Sequence, residues 1–245
     1  MLRDTVVREL DHDPRFTWRG EAVTRIENLS DIVFALALGM LVSSAQRPET
    51  FSDLTQHLFT IIPVAAGFGL LFSIWNAHFT YFRRYGVADG RIVFLNCLLL
   101  LFVLFVAYPL RFIFDGLFGY VLYMIAGNPE VLNSAEMTYD NSGIMMGYFT
   151  SGYALIYVII SLMYAHAMSK ADVLALSETE RIITKRSIVM FCVIIVNAVI
   201  TGLLAVLTPM NAFAGCLMAL NMPTSMIVGR LMPLSDTSEA GTTDG

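Results

Sequence analysis

A charged and polar cluster opens directly onto an apolar segment near the start of this chain. Arg25, Ser30 and Asp31 are followed by the uninterrupted apolar run 32–41, which reads I-V-F-A-L-A-L-G-M-L. Ionisable groups at membrane depth are costly, so they are usually paired and often functional. The junction between this cluster and the apolar run is therefore the first candidate for a functional site.

Polar residues of two further apolar segments are expected at the same depth as this cluster. Trp75 and His78 come near the end of the second segment, and Asn96 comes soon after the start of the third. A polar group in a low-dielectric environment needs a partner, so these side chains can satisfy one another. We expect one polar network at the cytoplasmic end of the helices, formed by Arg25, Ser30, Asp31, Trp75, His78 and Asn96.

Two interpretations of this network remain open. It either only locks three helices together, or it also belongs to a gate or a proton-sensing element through His78. A catalytic pair of Asp31 and His78 is a third interpretation, but no spacing supplies a nucleophile or a set of metal ligands. We therefore expect that the protein is not an enzyme and that it holds no resident metal and no cofactor.

The composition is that of an integral membrane protein. Of the 245 residues, 56% are hydrophobic and only 14% are charged, with a mean hydropathy of +0.66, whereas soluble domains carry about a quarter charged residues. The net charge of −5 and the pI of about 5.3 argue against a nucleic-acid partner. The three cysteines lie in apolar runs without CxxC spacing, so neither a disulfide framework nor a zinc site is expected.

Several apolar segments are long enough to cross the core of a bilayer as helices, which requires about 20 residues each. We predict six transmembrane helices at residues 29–45, 56–82, 92–114, 143–168, 182–207 and 211–230. The chain is thus predicted to be all-α, with a six-helix membrane domain over residues 29–230. A cytoplasmic segment, 1–28, leads into the first helix, and a polar tail, 231–245, is expected to be disordered.

The basic residues predict the orientation of these helices. Thirteen of the fifteen Lys and Arg residues fall on one side of the membrane, and only Arg47 and Arg111 fall on the other. Basic residues accumulate on the cytoplasmic side. Both termini are therefore predicted to be cytoplasmic.

The first predicted helix carries a stripe that suits a pore lining. Leu29, Ile32, Leu36, Met40 and Ser43 lie near one face at helical spacing. Copies of this helix around an axis would place apolar rings in the path of an ion, and apolar constrictions gate by dewetting. Spacing alone also allows a stripe that faces lipid or the protein core, so periodicity does not establish a pore.

The same residues resemble a known family. Arg25-x-x-x-Leu29-Ser30-Asp31 is similar to the R-x-x-x-F-S-D signature of the transmembrane protein 175 potassium channels in their prokaryotic, single-repeat, six-helix form. The V-F-A-L-A-L stretch that follows resembles the family's V-F-A-I-A-I. The likeness continues through Trp75 and His78, similar to W-x-x-H in the second helix, and through Asn96 in the third. It covers residues 20–112 well.

The resemblance implies a potassium-permeable channel that is built as a homotetramer. It would lie in the plasma membrane, which is the inner membrane of a prokaryote. The first helix of each subunit would line the pore, with an apolar constriction in place of a carbonyl filter. Leu36 would form that constriction, and Met40 and Ser43 would line the path further out. Two departures matter: Leu29 replaces the signature phenylalanine, and Gly39 stands where many members have threonine, which bears on potassium over sodium selectivity.

Other classes of membrane protein remain as alternatives. A secondary transporter, coupled to an ion or to protons, would need a midplane site and paired broken helices, and Pro63 and Pro223 are positions where helices could break. A membrane-embedded enzyme would need a nucleophile, a base and oxyanion donors, which the sequence does not offer. A structural membrane subunit is the last alternative.

Overall fold

The computed structural model of the protein describes residues 15–20, 22–43, 50–51, 61–126, 139–221, 224 and 227–228. Every regular element within these residues is helical, which confirms the predicted all-α class. The elements in chain order are α1 (Arg25–Ser43), α2 (Ile61–Tyr85), α3 (Gly90–Ala126), α4 (Tyr139–Ser169), α5 (Glu178–Leu207) and a 3-10 helix (Asn211–Leu220).

Four helices in the described part of the chain are long and apolar enough to cross a membrane. They are Ile61–Tyr85, Gly90–Gly116, Asn141–Ser169 and Glu178–Leu207. The shorter α1, with 19 residues, is not among them. The fold is therefore that of a multi-pass membrane protein, while the number of six spans and the direction of the termini stay predictions.

The helices pack in two groups that share α3. The first helix, α1, lies against α3 and α2, and α3 also packs against α4. The most extensive helix pair is α4 with α5, and glycine makes their close approach possible. A Cβ atom on Gly202 would lie only 2.4 Å from Oγ1 of Thr150, and one on Gly147 only 2.6 Å from Cγ2 of Val206. A larger residue at either glycine would push these helices apart.

Three helices, α1, α4 and α5, begin four residues before the predicted start of their apolar segments. In α1 and α5 the N-terminus is a capping box, in which a Ser or Thr side chain and a Glu three residues later bond to each other's backbone N–H groups. Ser177 and Glu180 cap α5 in this way, and Thr24 and Glu27 cap α1. These polar turns are helical because their free backbone donors are satisfied by side chains.

Other predicted boundaries also differ from the structure. The third helix continues through Pro109 to Ala126, well past the predicted end at residue 114. The predicted sixth helix over 211–230 begins as a 3-10 helix, Asn211–Leu220, and several of its later residues lie outside the described part. Residues 1–14, 44–49 and 229–245 also lie outside it, so the predicted tail over 231–245 is not described.

An extended segment leads into α1, and we call residues 15–20 and 22–24 the N-terminal strap. It lies across the end of α2 and the start of α5. Phe16 is fully buried, with its ring 5.6 Å from the ring of Tyr85. The part of the predicted cytoplasmic segment 1–28 that the structure describes therefore packs on the helices rather than hanging free of them.

Candidate functional site

The first helix has one buried and one exposed face, and the residues of interest divide between them. Ser30, Phe34, Ala37 and Leu41 recur at helical spacing and are almost completely buried against the other helices. The opposite face holds Leu29, Ile32 and Leu36, whose exposed fractions are 50%, 66% and 55%. Leu36, the predicted constriction, therefore points away from the subunit's own core.

The predicted positions beyond Leu36 lie further along the same helix. Met40 is half-buried, at the border between the two faces. Ser43 is the last residue of α1, and its side chain is outside the described part of the structure. Gly39 lies on the exposed face, where a Cβ atom would meet nothing within 4 Å. Beyond Leu36 the described face is thus open at Gly39 and partly covered at Met40.

Three of the predicted network residues form a buried triad. The amide nitrogen Nδ2 of Asn96 donates to Oγ of Ser30 at 3.0 Å, and Nε2 of His78 lies 2.8 Å from Oδ1 of Asn96. Because Oδ1 can only accept, Nε2 of His78 carries the hydrogen in this arrangement. Ser30 in turn donates to the carbonyl oxygen of Ile26 at 2.8 Å. The triad ties α1, α2 and α3 together at one depth.

Aromatic rings enclose the triad. The imidazole of His78 lies 4.8 Å from the ring of Phe82 and 5.8 Å from the ring of Phe34. Ser30 and Asn96 are 0% exposed and His78 is 2% exposed. A polar group in such a setting is stabilising only while its hydrogen bonds are made. This geometry fixes the orientation of the three helices closely.

Two other predicted network residues form a separate, exposed pair. Nε1 of Trp75 donates to Oδ1 of Asp31 at 2.9 Å. The indole is stacked on Phe79, with ring centroids 5.2 Å apart, and also contacts Phe72. No hydrogen bond in the described residues links this pair to the triad. The predicted single network is therefore two clusters within one subunit.

Arg25, the remaining predicted network residue, is exposed at the start of α1. Within the described residues, it makes no hydrogen bond or ion pair with either cluster. Its role in the network stays a prediction, and its position leaves the guanidinium on the open side of α1.

A buried ion pair that the sequence analysis missed lies beside the two clusters. Arg83, at the end of α2, donates from Nη2 to Oε2 of Glu27, in the first turn of α1. Both residues are under 10% exposed, and Nη1 of Arg83 also donates to the carbonyl oxygen of Gly20 at 2.7 Å. The capping-box pattern of Thr24 and Glu27 is the sequence signal that could have drawn attention to Glu27.

Possible metal ligands and cavities are the remaining features of the described part of the chain. No three His, Cys, Asp or Glu residues there lie close enough together to hold a metal ion. A cavity of about 410 Å³ lies between α4 and α5 and is lined by apolar and small residues, Gly147, Ser151 and Gly202 among them. In this arrangement, one face of α1 is packed and hydrogen-bonded within the subunit, and the opposite, apolar face is exposed.

That fold and site define a multi-pass membrane protein, and comparison with known proteins identifies its family. The family described as endosomal/lysosomal potassium channel TMEM175 matches residues 25–106, which include α1 and both polar clusters. A protein of Marivirga tractuosa named "Potassium channel" is 32% identical over 231 residues, covering 89% of this chain and 91% of that protein. The chain belongs to the TMEM175 family.

A solved structure at the same level of identity agrees with this assignment. A crystal structure of a variant of the potassium channel MtTMEM175, bound to a nanobody–MBP fusion protein, matches with a TM-score of 0.74 and 32% identity. The match covers 89% of this chain and 97% of that one. A TMEM175 homologue from Chamaesiphon minutus, described as a lysosomal potassium-selective channel, matches at 19% identity and a TM-score of 0.49 over 84% of this chain.

Proposed function

We propose that the protein is a potassium-permeable cation channel whose pore is lined by α1 of each subunit. The observation that carries this proposal is the exposed apolar face of α1 in a chain of this family. Ile32 and Leu36 stand more than half exposed on a helix whose other face is locked to the subunit. Four such helices around a common axis would turn these side chains toward one another and form a narrow apolar passage.

Leu36 forms the constriction in this proposal. A ring of leucine side chains offers no carbonyl oxygens to replace the hydration shell of an ion. Passage then depends on whether the ring is wide enough to stay wet, because narrow apolar constrictions stop ions by dewetting. Met40 and Ser43 line the path one and two turns further out, and potassium and other monovalent cations pass without a resident metal or cofactor.

The membrane arrangement follows from the same proposal. Six helices within residues 29–230 cross a plasma membrane, the inner membrane of a prokaryote, with both termini in the cytoplasm. Residues 1–28 and 231–245 flank this domain on the cytoplasmic side. The strong excess of Lys and Arg on one side supports this direction.

The buried triad and the exposed pair have different tasks in the proposed channel. Ser30, His78 and Asn96 hold α1 in place against α2 and α3, so that the Leu36 side chain faces the axis. Asp31 and Trp75 lie closer to the open face, where Asp31 places a carboxylate near the cytoplasmic entrance together with Arg25. The relatives are named as channels, not enzymes, and we extend this to the present chain.

Ion flux from proteoliposomes tests the proposal. Liposomes loaded with potassium and containing the purified protein should lose potassium down its gradient without any co-ion or substrate. Replacing Leu36 by alanine should widen the constriction and speed the efflux about tenfold, a change of about 1.4 kcal/mol in the barrier. Parallel measurements with sodium and caesium rank the selectivity.

The same assay separates a channel from a secondary transporter. Efflux that requires a coupled ion, or that saturates with a defined substrate, would contradict the channel. Unchanged efflux in a well-folded Leu36→Ala protein would contradict the assignment of Leu36 to the constriction.

A further inference from the structure

The N-terminal strap makes many hydrogen bonds to residues that are distant in the sequence. The guanidinium of Arg19 forms a two-pronged pair with Glu180, with Nη1 and Nη2 each 2.9 Å from a carboxylate oxygen. Its Nε donates to the carbonyl oxygen of Leu174 at 2.8 Å. The backbone N–H of Thr17 also donates to Glu180 at 2.8 Å. The strap is thereby fixed to the start of α5 and to the turn that precedes it.

The strap is fixed equally firmly to the end of α2. The backbone N–H groups of Arg19 and Gly20 both donate to the carbonyl oxygen of Arg83, at 3.1 and 3.2 Å. A Cβ atom on Gly20 would lie 2.1 Å from the carbonyl oxygen of Phe82, so only glycine fits there. Gly86, with φ +61°, is also close, since its Cβ would meet the carbonyl of Arg19 at 3.0 Å.

Glu27 connects these contacts to the first turn of α1. Its Oε1 accepts from the backbone N–H of Thr24 at 2.8 Å and from the Thr24 hydroxyl at 3.0 Å, and its Oε2 accepts from Arg83. The guanidinium of Arg83 bonds Glu27 and the carbonyl of Gly20 at once. Hydrogen bonds therefore connect α5 through the strap and α2 to α1: the pairs Glu180–Arg19 and Arg83–Glu27 are charge-assisted, and the backbone of the strap joins them.

We infer that Glu27, Arg83, Arg19 and Glu180 form a positioning relay that sets the placement of α1 from the start of α5. The inference rests on the proposed function, in that α1 carries the constriction. Leu36 is nine residues beyond Glu27, about 14 Å along a helix that rises 1.5 Å per residue. A small shift at the cytoplasmic end of α1 is transmitted to Leu36 because the helix moves as a rigid element.

The relay holds the cytoplasmic end of α1 against α2, away from the proposed axis. Without it, the apolar faces of neighbouring α1 helices approach one another and the Leu36 ring narrows. The consequence is that a residue remote in sequence from α1, Glu180, controls ion passage. These four are positioning residues: in the proposal none of them touches the ion.

Potassium efflux from proteoliposomes tests the relay when each variant is measured in two backgrounds. Glu27→Gln and Glu180→Gln should each lower efflux about fivefold when Leu36 is present. In a Leu36→Ala background the same substitutions should change efflux by less than about twofold, because the apolar ring is already removed. Asp172→Asn is the matched control: its exposed pair with Arg181, at 2.5 Å, lies beside the same turn but outside the relay.

A merely structural role gives a different pattern. If the substitutions only reduce the amount of folded protein, efflux falls by the same factor with Leu36 and with Leu36→Ala, and that result overturns the relay. Glu27→Gln leaves the buried Arg83 without its carboxylate counter-ion. If that variant does not fold, Glu180→Gln alone decides the test.

Hydrogen exchange provides a measure of the relay that does not depend on ion flux. The amides of the first turns of α1 should exchange faster in Glu180→Gln than in the wild-type protein, and at the wild-type rate in Asp172→Asn. Unchanged exchange in Glu180→Gln overturns the relay. If exchange rises as expected but Leu36→Ala does not alter efflux, the relay stands and the pore assignment is the part that fails.

Discussion

The two faces of α1 differ in what their side chains contact, although both are largely apolar beyond the first two turns. Its buried face contains Ser30, bonded to Asn96 and through it to His78, while its exposed face contains Ile32 and Leu36. The buried face would be stable in any solvent, because its apolar side chains are packed and the hydrogen bonds of Ser30 are made within the subunit. The exposed apolar side chains are the unusual feature, and in a membrane they can contact lipid or other subunits.

The exposed face of α3 makes a useful second comparison. It carries bulky residues such as Phe94, Phe105 and Tyr108, each more than 65% exposed. The exposed face of α1 has no aromatic residue and includes Ala35 and Gly39. Both faces are apolar and exposed, so exposure alone does not identify a pore. In the proposed channel, the small and aliphatic side chains of the α1 face would let several copies of the helix converge on one axis.

The largest expected effect concerns the buried face. Replacing Asn96 by leucine removes the central amide and leaves Ser30 Oγ and His78 Nε2 each short of a partner. His78 Nε2 is then a buried donor without its partner, which costs about 1–3 kcal/mol of stability, whereas Ser30 keeps its bond to the carbonyl oxygen of Ile26. Thermal unfolding of the protein in detergent, followed by intrinsic fluorescence, measures the loss.

The exposed pair supplies the control for this experiment. Asp31→Asn keeps an acceptor for Trp75 and lies at a solvent-accessible site, so the loss should be below about 1 kcal/mol. Equal destabilisation by Asn96→Leu and Asp31→Asn would show that the division into a buried triad and an exposed pair has no energetic meaning.

The next effect distinguishes the two exposed faces. Leu36→Asn places a polar ring at the proposed constriction, which keeps it hydrated and should raise potassium efflux about tenfold. Phe105→Asn makes the same kind of change on the exposed face of α3 and should leave efflux per folded protein unaltered. If Phe105→Asn raises efflux and Leu36→Asn does not, the pore lies along α3 rather than α1.

The division of the polar residues into two clusters could have been anticipated from the sequence. Ser30 and Asp31 are neighbours, and neighbouring residues on a helix point about 100° apart, so they cannot both face the same partners. The early start of α1 was also readable, since Thr24 and Glu27 have capping-box spacing. Both signals are local, because each depends on residues no more than three positions apart.

The contacts of the N-terminal strap could not have been anticipated in this way. The pairing of Arg19 with Glu180 joins residues 161 positions apart, and no periodicity marks either of them. Arg83 is one of the basic residues counted on the predicted cytoplasmic side, and its side chain is buried between Gly20 and Glu27. Such pairs depend on how the helices are arranged in three dimensions, which hydropathy and spacing do not determine.

A smaller effect is expected at Gly39, on the exposed face of α1. Gly39→Thr adds a hydroxyl one turn outward of Leu36, in a place where a Cβ meets nothing within 4 Å. A polar ring next to an apolar one compensates partly dehydrated ions and should raise the potassium-to-sodium flux ratio about threefold. Gly69→Thr, on α2, is equally free of contacts and should leave the ratio unchanged.

The smallest effect lies outside both faces of α1, at Asp89, between α2 and α3. Hydrogen bonds from Lys170 at 2.5 Å and from His166 at 2.7 Å hold the pKa of Asp89 well below its usual value. The stability that this carboxylate contributes is therefore present at neutral pH and is lost only as the pH falls below about 4, where the unfolded chain takes up the proton. Asp89→Asn should lower the unfolding temperature at pH 7 and make the difference between pH 7 and pH 3 smaller than in the wild-type protein.

Because the site is remote from Leu36, the flux ratio of potassium to sodium should not change. A change in that ratio would mean that the link between α3 and α4 also shapes the pore, and that the open face of α1 is not its sole determinant.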